Sequence, residues 1–208
     1  MNDLNNIKQE KIVKYSAVIL GGGKSTRMGS DKGSLLINGK SFIETIAGNL
    51  ADADELFLST GENELYKLPG IRNIRDEYKD IGPVAGIHKA LKSMKNEWLF
   101  AVACDMPFID SAFAGQLLKN GLEENEEAVL IVPRDKSGRY NMLGAMYHRS
   151  LYEKVTELIN GGERKLRRIM ELSGDKLVVT DITEERFLRN INTKEEYEAL
   201  LAKNFREV

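Results

Sequence analysis

Short apolar runs alternate with segments of helical periodicity along most of this chain, and no other feature limits its fold as much. Runs typical of strands lie at 17–20, 55–61, 71–77, 97–110, 127–134, 141–149 and 176–182. Segments with apolar residues at helical spacing lie between them, at 41–51, 82–94, 111–121, 151–162, 165–174 and 193–205. This alternation predicts a three-layer α/β/α domain with a mixed, mostly parallel central sheet.

The chain length and the distribution of polar residues indicate one folded unit. A chain of 208 residues is close to the usual size of a single domain, roughly 100–200 residues. Residues 1–14 carry few large apolar side chains, which predicts a flexible extension before a domain at 15–208. No linker rich in Pro, Gly or Ser divides that domain, and we find no internal repeat.

Composition excludes several classes of protein. The 30 basic and 32 acidic residues give a net charge of −2, which disfavours a dedicated nucleic-acid binder. The single cysteine, Cys104, cannot form an internal disulfide. No apolar run approaches the roughly 18 residues of a membrane span, and the start of the chain lacks the apolar core of a signal peptide. We therefore expect a cytoplasmic protein without nucleic-acid or membrane partners.

The first apolar run ends in a glycine-rich, basic loop, LGGGKSTRMGSDKG at 20–33. Glycines let the backbone approach a ligand without a Cβ in the way, and successive backbone N–H groups form a concave anion site. Lys24, Arg27 and Lys32 add cations that suit phosphate oxygens. The loop predicts a triphosphate cradle, with a flexible turn bearing solvated charges as the alternative.

Two familiar phosphate-binding loops do not fit this segment. The P-loop requires a glycine where Val18 stands. The dinucleotide fingerprint requires Gly or Ala where Thr26 stands, and a helix directly afterwards.

Asp105 follows the apolar run that ends at Ala103. In α/β folds, ligands bind at the carboxyl ends of the strands, so a carboxylate there is fixed beside the ligand crevice. Magnesium prefers one or two carboxylates together with substrate phosphates and waters. We predict that Asp105 binds Mg²⁺, with a role in capping the next turn as the alternative. We expect no catalytic role for Cys104, His88 or His148.

Four motifs together resemble those of the molybdenum cofactor guanylyltransferases, within the glycosyltransferase-A-like nucleotidyltransferases. They are LGGGKSTRMGSDKG at 20–33, DEYKDIGPVAGIHKAL at 76–91, CDMPFI at 104–109 and NINTKEEY at 190–197. Many nucleotidyltransferases share the first motif, and the combination of GPVAGI with NINT narrows the resemblance to this family. It implies a Rossmann-like nucleotidyltransferase fold and Mg²⁺-dependent transfer of GMP from GTP to molybdopterin, with release of pyrophosphate.

The resemblance also implies a role for each matching position. Those implied to be catalytic are Arg27, Lys32 and Asp105, the last being the metal ligand. Those implied to contact the nucleotide are Leu20, Gly21, Gly22, Gly23, Lys32, Ser59, Asp76, Gly82, Gly86 and Asp105. Those implied to lie near the acceptor are Lys165, Asn190 and Asn192.

The chain departs from the family pattern at several positions. Ser59 stands where some relatives have Asn, Met142 where Pro is frequent, Gly144 where a larger apolar residue is usual and Lys165 where Arg is frequent. Three of these four lie in the half that would bind the acceptor, so they affect the expected identity of the acceptor more than that of the nucleotide.

The residues themselves leave other functions open. A molybdopterin cytidylyltransferase, a methylerythritol-phosphate cytidylyltransferase and a sugar-phosphate nucleotidyltransferase would share the first loop and the aspartate. A non-catalytic nucleotide-binding adaptor is the alternative from another class. Besides GTP and molybdopterin, the resemblance implies molybdenum-cofactor insertion proteins or apo-molybdoenzymes as partners.

Overall fold

Seven strands form one sheet in the computed structural model, which describes residues 13–21, 32–60, 66–78 and 81–204. The strands are, in chain order, β1 (Tyr15–Leu20), β2 (Leu36–Ile37), β3 (Lys40–Ser41), β4 (Glu55–Ser59), β5 (Ile71–Ile74), β6 (Trp98–Ala103), β7 (Leu130–Arg134), β8 (Ala145–His148) and β9 (Leu177–Asp181). The helices are α1 (Phe42–Asn49), α2 (Pro83–Ser93), α3 (Ser111–Glu124), α4 (Leu151–Asn160), α5 (Arg167–Ser173) and α6 (Lys194–Asn204). Strands β2 and β3 form a separate hairpin.

The large sheet has the strand order β5-β4-β1-β6-β8-β7-β9. Strand β8 pairs antiparallel with both of its neighbours, β6 and β7, while the other pairings in this sheet are parallel. The prediction of a mixed, mostly parallel sheet is therefore confirmed.

Strand β1 is buried on both faces, which explains why residues 17–20 form a continuous apolar run rather than an alternating one. Ala17 and Ile19 pack into the core beneath α1 and α3. Val18 and Leu20 point to the opposite face, into the core beneath α2, α4 and α5. All four side chains are buried, so the helices do cover both faces of the sheet, as predicted.

The predicted elements extend over slightly different residues in the structure. The run at 97–110 does not form one strand, because β6 ends at Ala103 and a turn follows at Cys104 and Asp105. The run at 141–149 forms a strand only from Ala145, since Gly144 before it has a positive φ of 106°.

The pattern of apolar runs does not predict the hairpin of β2 and β3, because 21–40 is mostly polar and rich in glycine. Its turn residues, Asn38 and Gly39, have φ values of 50° and 79°. Asn-Gly between two strands is the usual sequence of a tight hairpin turn, so this signal was available in the sequence.

Capping boxes begin two of the helices. At the start of α6, the Glu196 N–H donates to Thr193 Oγ1 over 3.2 Å and the Thr193 N–H donates to Glu196 Oε2 over 3.2 Å, which is the pairing that a Thr followed three residues later by Glu predicts. The box of Ser41 and Glu44 before α1 was not predicted.

The ends of the domain are only partly described. Of the predicted extension at 1–14, the structure describes Val13 and Lys14, which are both exposed, so the boundary remains a prediction. Within the described ranges, no helix combines the length and apolar character needed to cross a bilayer.

Two glycines of α3 provide a test of how closely this helix packs on the sheet. A Cβ at Gly121 would lie 2.4 Å from Ile131 Cδ1, whereas a Cβ at Gly115 would have no atom within 4 Å. We expect Gly121→Ala to destabilise the protein by about 1–3 kcal/mol through overpacking. Gly115→Ala, the matched control, should stabilise it by about 0.5–1 kcal/mol through helix propensity. Thermal unfolding of both variants measures the difference, and equal effects would contradict the packing described.

Candidate active site

The two motifs that the sequence places at strand ends meet in the structure. Leu20, at the end of β1, lies in register with Ala103, at the end of β6. The Cys104 N–H donates to the Leu20 carbonyl oxygen over 3.1 Å. The chain passes from β1 towards β4 on one side and β6 lies on the other, so this is the switch point at which ligands bind in open α/β sheets.

Two distant segments of the chain hold Asp105. Its Oδ2 accepts from Lys32 Nζ over 2.8 Å, and its Oδ1 accepts from Asn190 Nδ2 over 2.8 Å. The Ile191 N–H donates to the Asp105 carbonyl oxygen, also over 2.8 Å. The Asp105 side chain is only 13% exposed. Its carboxylate is therefore fixed in place by partners from both ends of the chain.

The Lys32 ammonium lies between two oxygens. It donates to Asp105 Oδ2 and to Asn192 Oδ1, each over 2.8 Å, and its side chain is 17% exposed. A short 3₁₀ turn at Lys32–Ser34 carries it, at the end of the glycine-rich loop. A positive charge at this point is well placed to meet phosphate oxygens that enter beside Asp105.

The oxygen atoms at and around Asp105 are suitable ligands for a hard cation. The Asp105 carboxylate and the Asn192 amide oxygen both lie within hydrogen-bond distance of a single positive charge, that of Lys32. Among the residues that the structure describes, no group of three or more His, Cys, Asp or Glu is placed to hold a metal. These residues fit Mg²⁺, because this ion is commonly bound through one or two carboxylates and completes its shell with waters and substrate phosphates.

A second polar pair lies at the end of β4. Ser59 Oγ donates to Asp76 Oδ1 over 2.7 Å, and the Gly21 N–H donates to the Ser59 carbonyl oxygen over 2.7 Å. Burial raises the pKa of Asp76 above its ordinary value of 3.8, while the hydrogen bond from Ser59 acts in the opposite direction. This pair places a hydrogen-bonding carboxyl group directly beside the start of the glycine-rich loop.

Two glycines allow α2 to approach these strand ends. A Cβ at Gly86 would lie 2.5 Å from Leu20 Cδ2 and 2.8 Å from Ser59 Oγ, so any side chain there would force these residues to move. Gly82, directly before α2, has a φ of 71°, a conformation that favours glycine. Pro83 then starts the helix. The motif GPVAG thus packs against the predicted nucleotide site.

Contacts with Asp105 are not seen for the remaining predicted site residues in the part of the chain that the structure describes. Gly22, Gly23 and Arg27 lie outside the described residues. Lys165 lies in the loop between α4 and α5, where its side chain is exposed and its N–H donates to Glu163 Oε1 over 3.0 Å. No hydrogen bond or ion pair between described residues joins Lys165 to the Asp105 cluster.

The sequence of this chain matches a known family of nucleotidyltransferases over most of its length. The sequence model of the MobA-like NTP transferase domain matches residues 17–178, which include most of β1, all of β6 and Asp105. The chain belongs to this family. The family resemblance inferred from the four motifs is confirmed, and the chain is a nucleotidyltransferase.

Individual members of the family align over most of the chain. A probable molybdenum cofactor guanylyltransferase of Clostridium perfringens (strain 13) is 34% identical over 200 residues, covering 92% of this chain and 98% of the relative. One of Mycobacterium avium is 30% identical over 194 residues, covering 90% and 95%. The crystal structure of molybdopterin-guanine dinucleotide biosynthesis protein A from Archaeoglobus fulgidus superposes with a TM-score of 0.75 at 22% identity, covering 92% and 99%. This last similarity shows that the fold is shared.

The hydrogen bond from Ser59 to Asp76 can be tested through the pKa of the Asp76 carboxyl group. Because the Ser59 hydroxyl stabilises the ionised carboxylate, Ser59→Ala should raise the pKa of Asp76 further above its ordinary value of 3.8. A folded-state pKa above the unfolded one stabilises the protein at low pH, and that contribution is lost as the pH rises through the folded-state pKa. A ¹³C NMR titration of the Asp76 carboxyl measures the shift, with Asp76→Asn used to assign the signal. A pKa that stays constant or falls in Ser59→Ala would show that the hydroxyl does not support the carboxylate.

Proposed function

We propose that this chain transfers GMP from GTP to molybdopterin, forming molybdopterin guanine dinucleotide and releasing pyrophosphate. The observation that carries the proposal is the cluster of Lys32, Asp105, Asn190 and Asn192 at the ends of β1 and β6. Relatives named for this activity align with nearly the whole chain, which supports the choice of substrates.

The nucleotide is proposed to bind along the ends of β1 and β4. Backbone groups of 20–23 contact the guanosine part, together with the Ser59 and Asp76 pair that adjoins Gly21. Arg27 and Lys32 hold the triphosphate. Gly86 lets α2 pack closely against this surface, because a Cβ there would displace Leu20 and Ser59, and Gly82 supplies the positive φ of 71° directly before the helix.

The reaction proposed is attack by a phosphate oxygen of molybdopterin on the α-phosphorus of GTP, with pyrophosphate as the leaving group. Such a transfer needs alignment of the phosphates and neutralisation of the charge that grows on the leaving group. Lys32 supplies a cation already held in position by two oxygens. A charge fixed before the reaction costs little reorganisation when the reaction occurs.

Asp105 is the proposed metal ligand, with the Asn192 amide oxygen beside it. When bound there, Mg²⁺ would neutralise and polarise phosphate oxygens. Asn190 keeps the Asp105 carboxylate in one orientation through its Nδ2. Supporting contacts of this kind typically change metal affinity or activity by about 10–100-fold when they are removed.

The acceptor is proposed to approach from the side of Lys165, Asn190 and Asn192. The two asparagines already contact Asp105 and Lys32, so an acceptor bound beside them lies next to the nucleotide phosphates. A cytoplasmic location, and contact with molybdenum-cofactor insertion proteins or apo-molybdoenzymes, stay predictions.

A comparison of nucleotides tests the proposed function. We expect GTP, with Mg²⁺ and molybdopterin present, to release pyrophosphate at least about tenfold faster than CTP, ATP or UTP, since a site that hydrogen-bonds one base rejects others. Calorimetric titration of the same four nucleotides gives their affinities independently. Preference for CTP would make the chain a cytidylyltransferase, and binding without any transfer would favour the nucleotide-binding adaptor.

Replacement of Asp105 tests the metal site. Asp105→Asn keeps an oxygen for Lys32 but removes the negative charge, so Mg²⁺-dependent turnover should fall at least about 100-fold. The variant should still fold, with a lower melting temperature, because the Lys32 ammonium loses its counter-charge. Asp110→Asn is the matched control, because Asp110 caps α3 by accepting from the Phe113 N–H over 2.8 Å, which asparagine also does. Near-normal turnover in Asp105→Asn would show that Asp105 is not the metal ligand.

A further inference from the structure

An exposed aromatic ring lies at the carboxyl end of β7. Tyr140 is 38% exposed and forms an isolated bridge with Arg134, the last residue of that strand. It is the one aromatic residue among the exposed large apolar side chains of the described ranges. An exposed ring beside a ligand crevice is available for stacking against a planar ligand.

Arg167 lies over this ring. Its guanidinium carbon is 5.9 Å from the centre of the Tyr140 ring, close to the outer limit of a cation–π contact. In the part of the chain that the structure describes, Arg167 makes no ion pair with a carboxylate, whereas its neighbour Arg168 pairs with Glu163 and Glu171. Arg167 therefore has a loosely held positive charge that is free to meet an anion.

The strand register places this pair near Asp105. Phe100 and Ile131 both pair with Met146 of β8, so β6 and β7 run side by side with one strand between them. Three residues further along, Ala103 and Arg134 lie at the same level of the sheet. Two strand spacings separate them by about 10 Å. Tyr140 and Arg167 thus lie at the same edge as Asp105, on the side away from β4, where the Ser59 and Asp76 pair lies.

We propose that Tyr140 and Arg167 form an acceptor subsite that recognises a planar heterocycle carrying a phosphate group. Tyr140 stacks on the heterocycle, and Arg167 binds an anionic oxygen of the same molecule through paired N–H donors. Arg134 does not take this role, because its guanidinium is already held by both carboxylate oxygens of Asp181, at 2.6 Å and 2.9 Å. This inference rests on the proposed function, since it assigns residues to the acceptor of that reaction.

The geometry favours the acceptor over the nucleotide as the occupant. The nucleotide is proposed to lie along β1 and β4, on the other side of Asp105 in the strand order. A molecule that stacks on Tyr140 and reaches Asp105 spans about two strand spacings, or about 10 Å. A phosphorylated pterin has this combination of a flat ring, an anionic group and a suitable length.

Steady-state kinetics with full-length variants tests the subsite. Arg167→Gln and Tyr140→Leu should each raise the KM for molybdopterin about tenfold, because each loses a charge-assisted or stacking contact with the acceptor. The GTP affinity measured by calorimetry should stay unchanged in both variants. Arg168→Gln is the matched control, since Arg168 is the adjacent arginine of α5 and is occupied by Glu163 and Glu171. Arg167→Lys should recover only part of the loss, because lysine lacks the fork of N–H donors.

A direct titration separates failure of this inference from failure of the proposed function. Binding of the fluorescent compound 6-hydroxymethylpterin phosphate needs no turnover and no GTP. Binding to the unmodified chain that weakens in Arg167→Gln and Tyr140→Leu, but not in Arg168→Gln, supports the subsite even if molybdopterin is not the true acceptor. Equal binding by all variants, or none by the unmodified chain, overturns it. Absence of GMP transfer by the unmodified chain overturns the proposed function instead.

Discussion

The parallel pairing of β1 with β6 determines where the other parts of this molecule lie. Leu20 and Ala103 end their strands in register, so the glycine-rich loop and Asp105 leave the sheet at the same point. Apart from Ser16 of β1, both strands are apolar, because helices cover both faces of the sheet. The buried strands give the site a rigid base. The polar groups that follow them lie at the carboxyl edge of the sheet, where the crevice is.

The ion pair of Lys32 and Asp105 is a compromise between stability and function. Both side chains are largely withdrawn from water, at 17% and 13% exposure, so each loses hydration that the other partly replaces. Asn190 and Asn192 supply the further hydrogen bonds that such a pair requires. The same four groups are those proposed to meet phosphates and Mg²⁺. Folding therefore fixes in advance the charges that are proposed to meet the nucleotide.

The sequence predicts those features that depend on local patterns. Apolar runs identified the strands, and the position of Asp105 after such a run indicated a site residue, because strand ends in α/β folds face the crevice. The Asn38-Gly39 turn was missed although its signal is local. The hydrogen bond from Ser59 to Asp76 could not be predicted from patterns, since it depends on how the segments after β4 and β5 approach each other. The cation–π contact of Tyr140 with Arg167 is equally non-local.

The C-terminal segment is part of the site itself rather than a neighbour to it. The family resemblance places Asn190 and Asn192 with the acceptor, yet Asn190 holds Asp105 and Asn192 accepts from Lys32. The Ile191 N–H adds a bond to the Asp105 carbonyl oxygen, and its side chain is fully buried. Packing of Ile191 against the core therefore fixes the two asparagines on either side of it. Changes in the two halves of the chain should consequently have non-additive effects, because groups that share a hydrogen-bond network are energetically coupled.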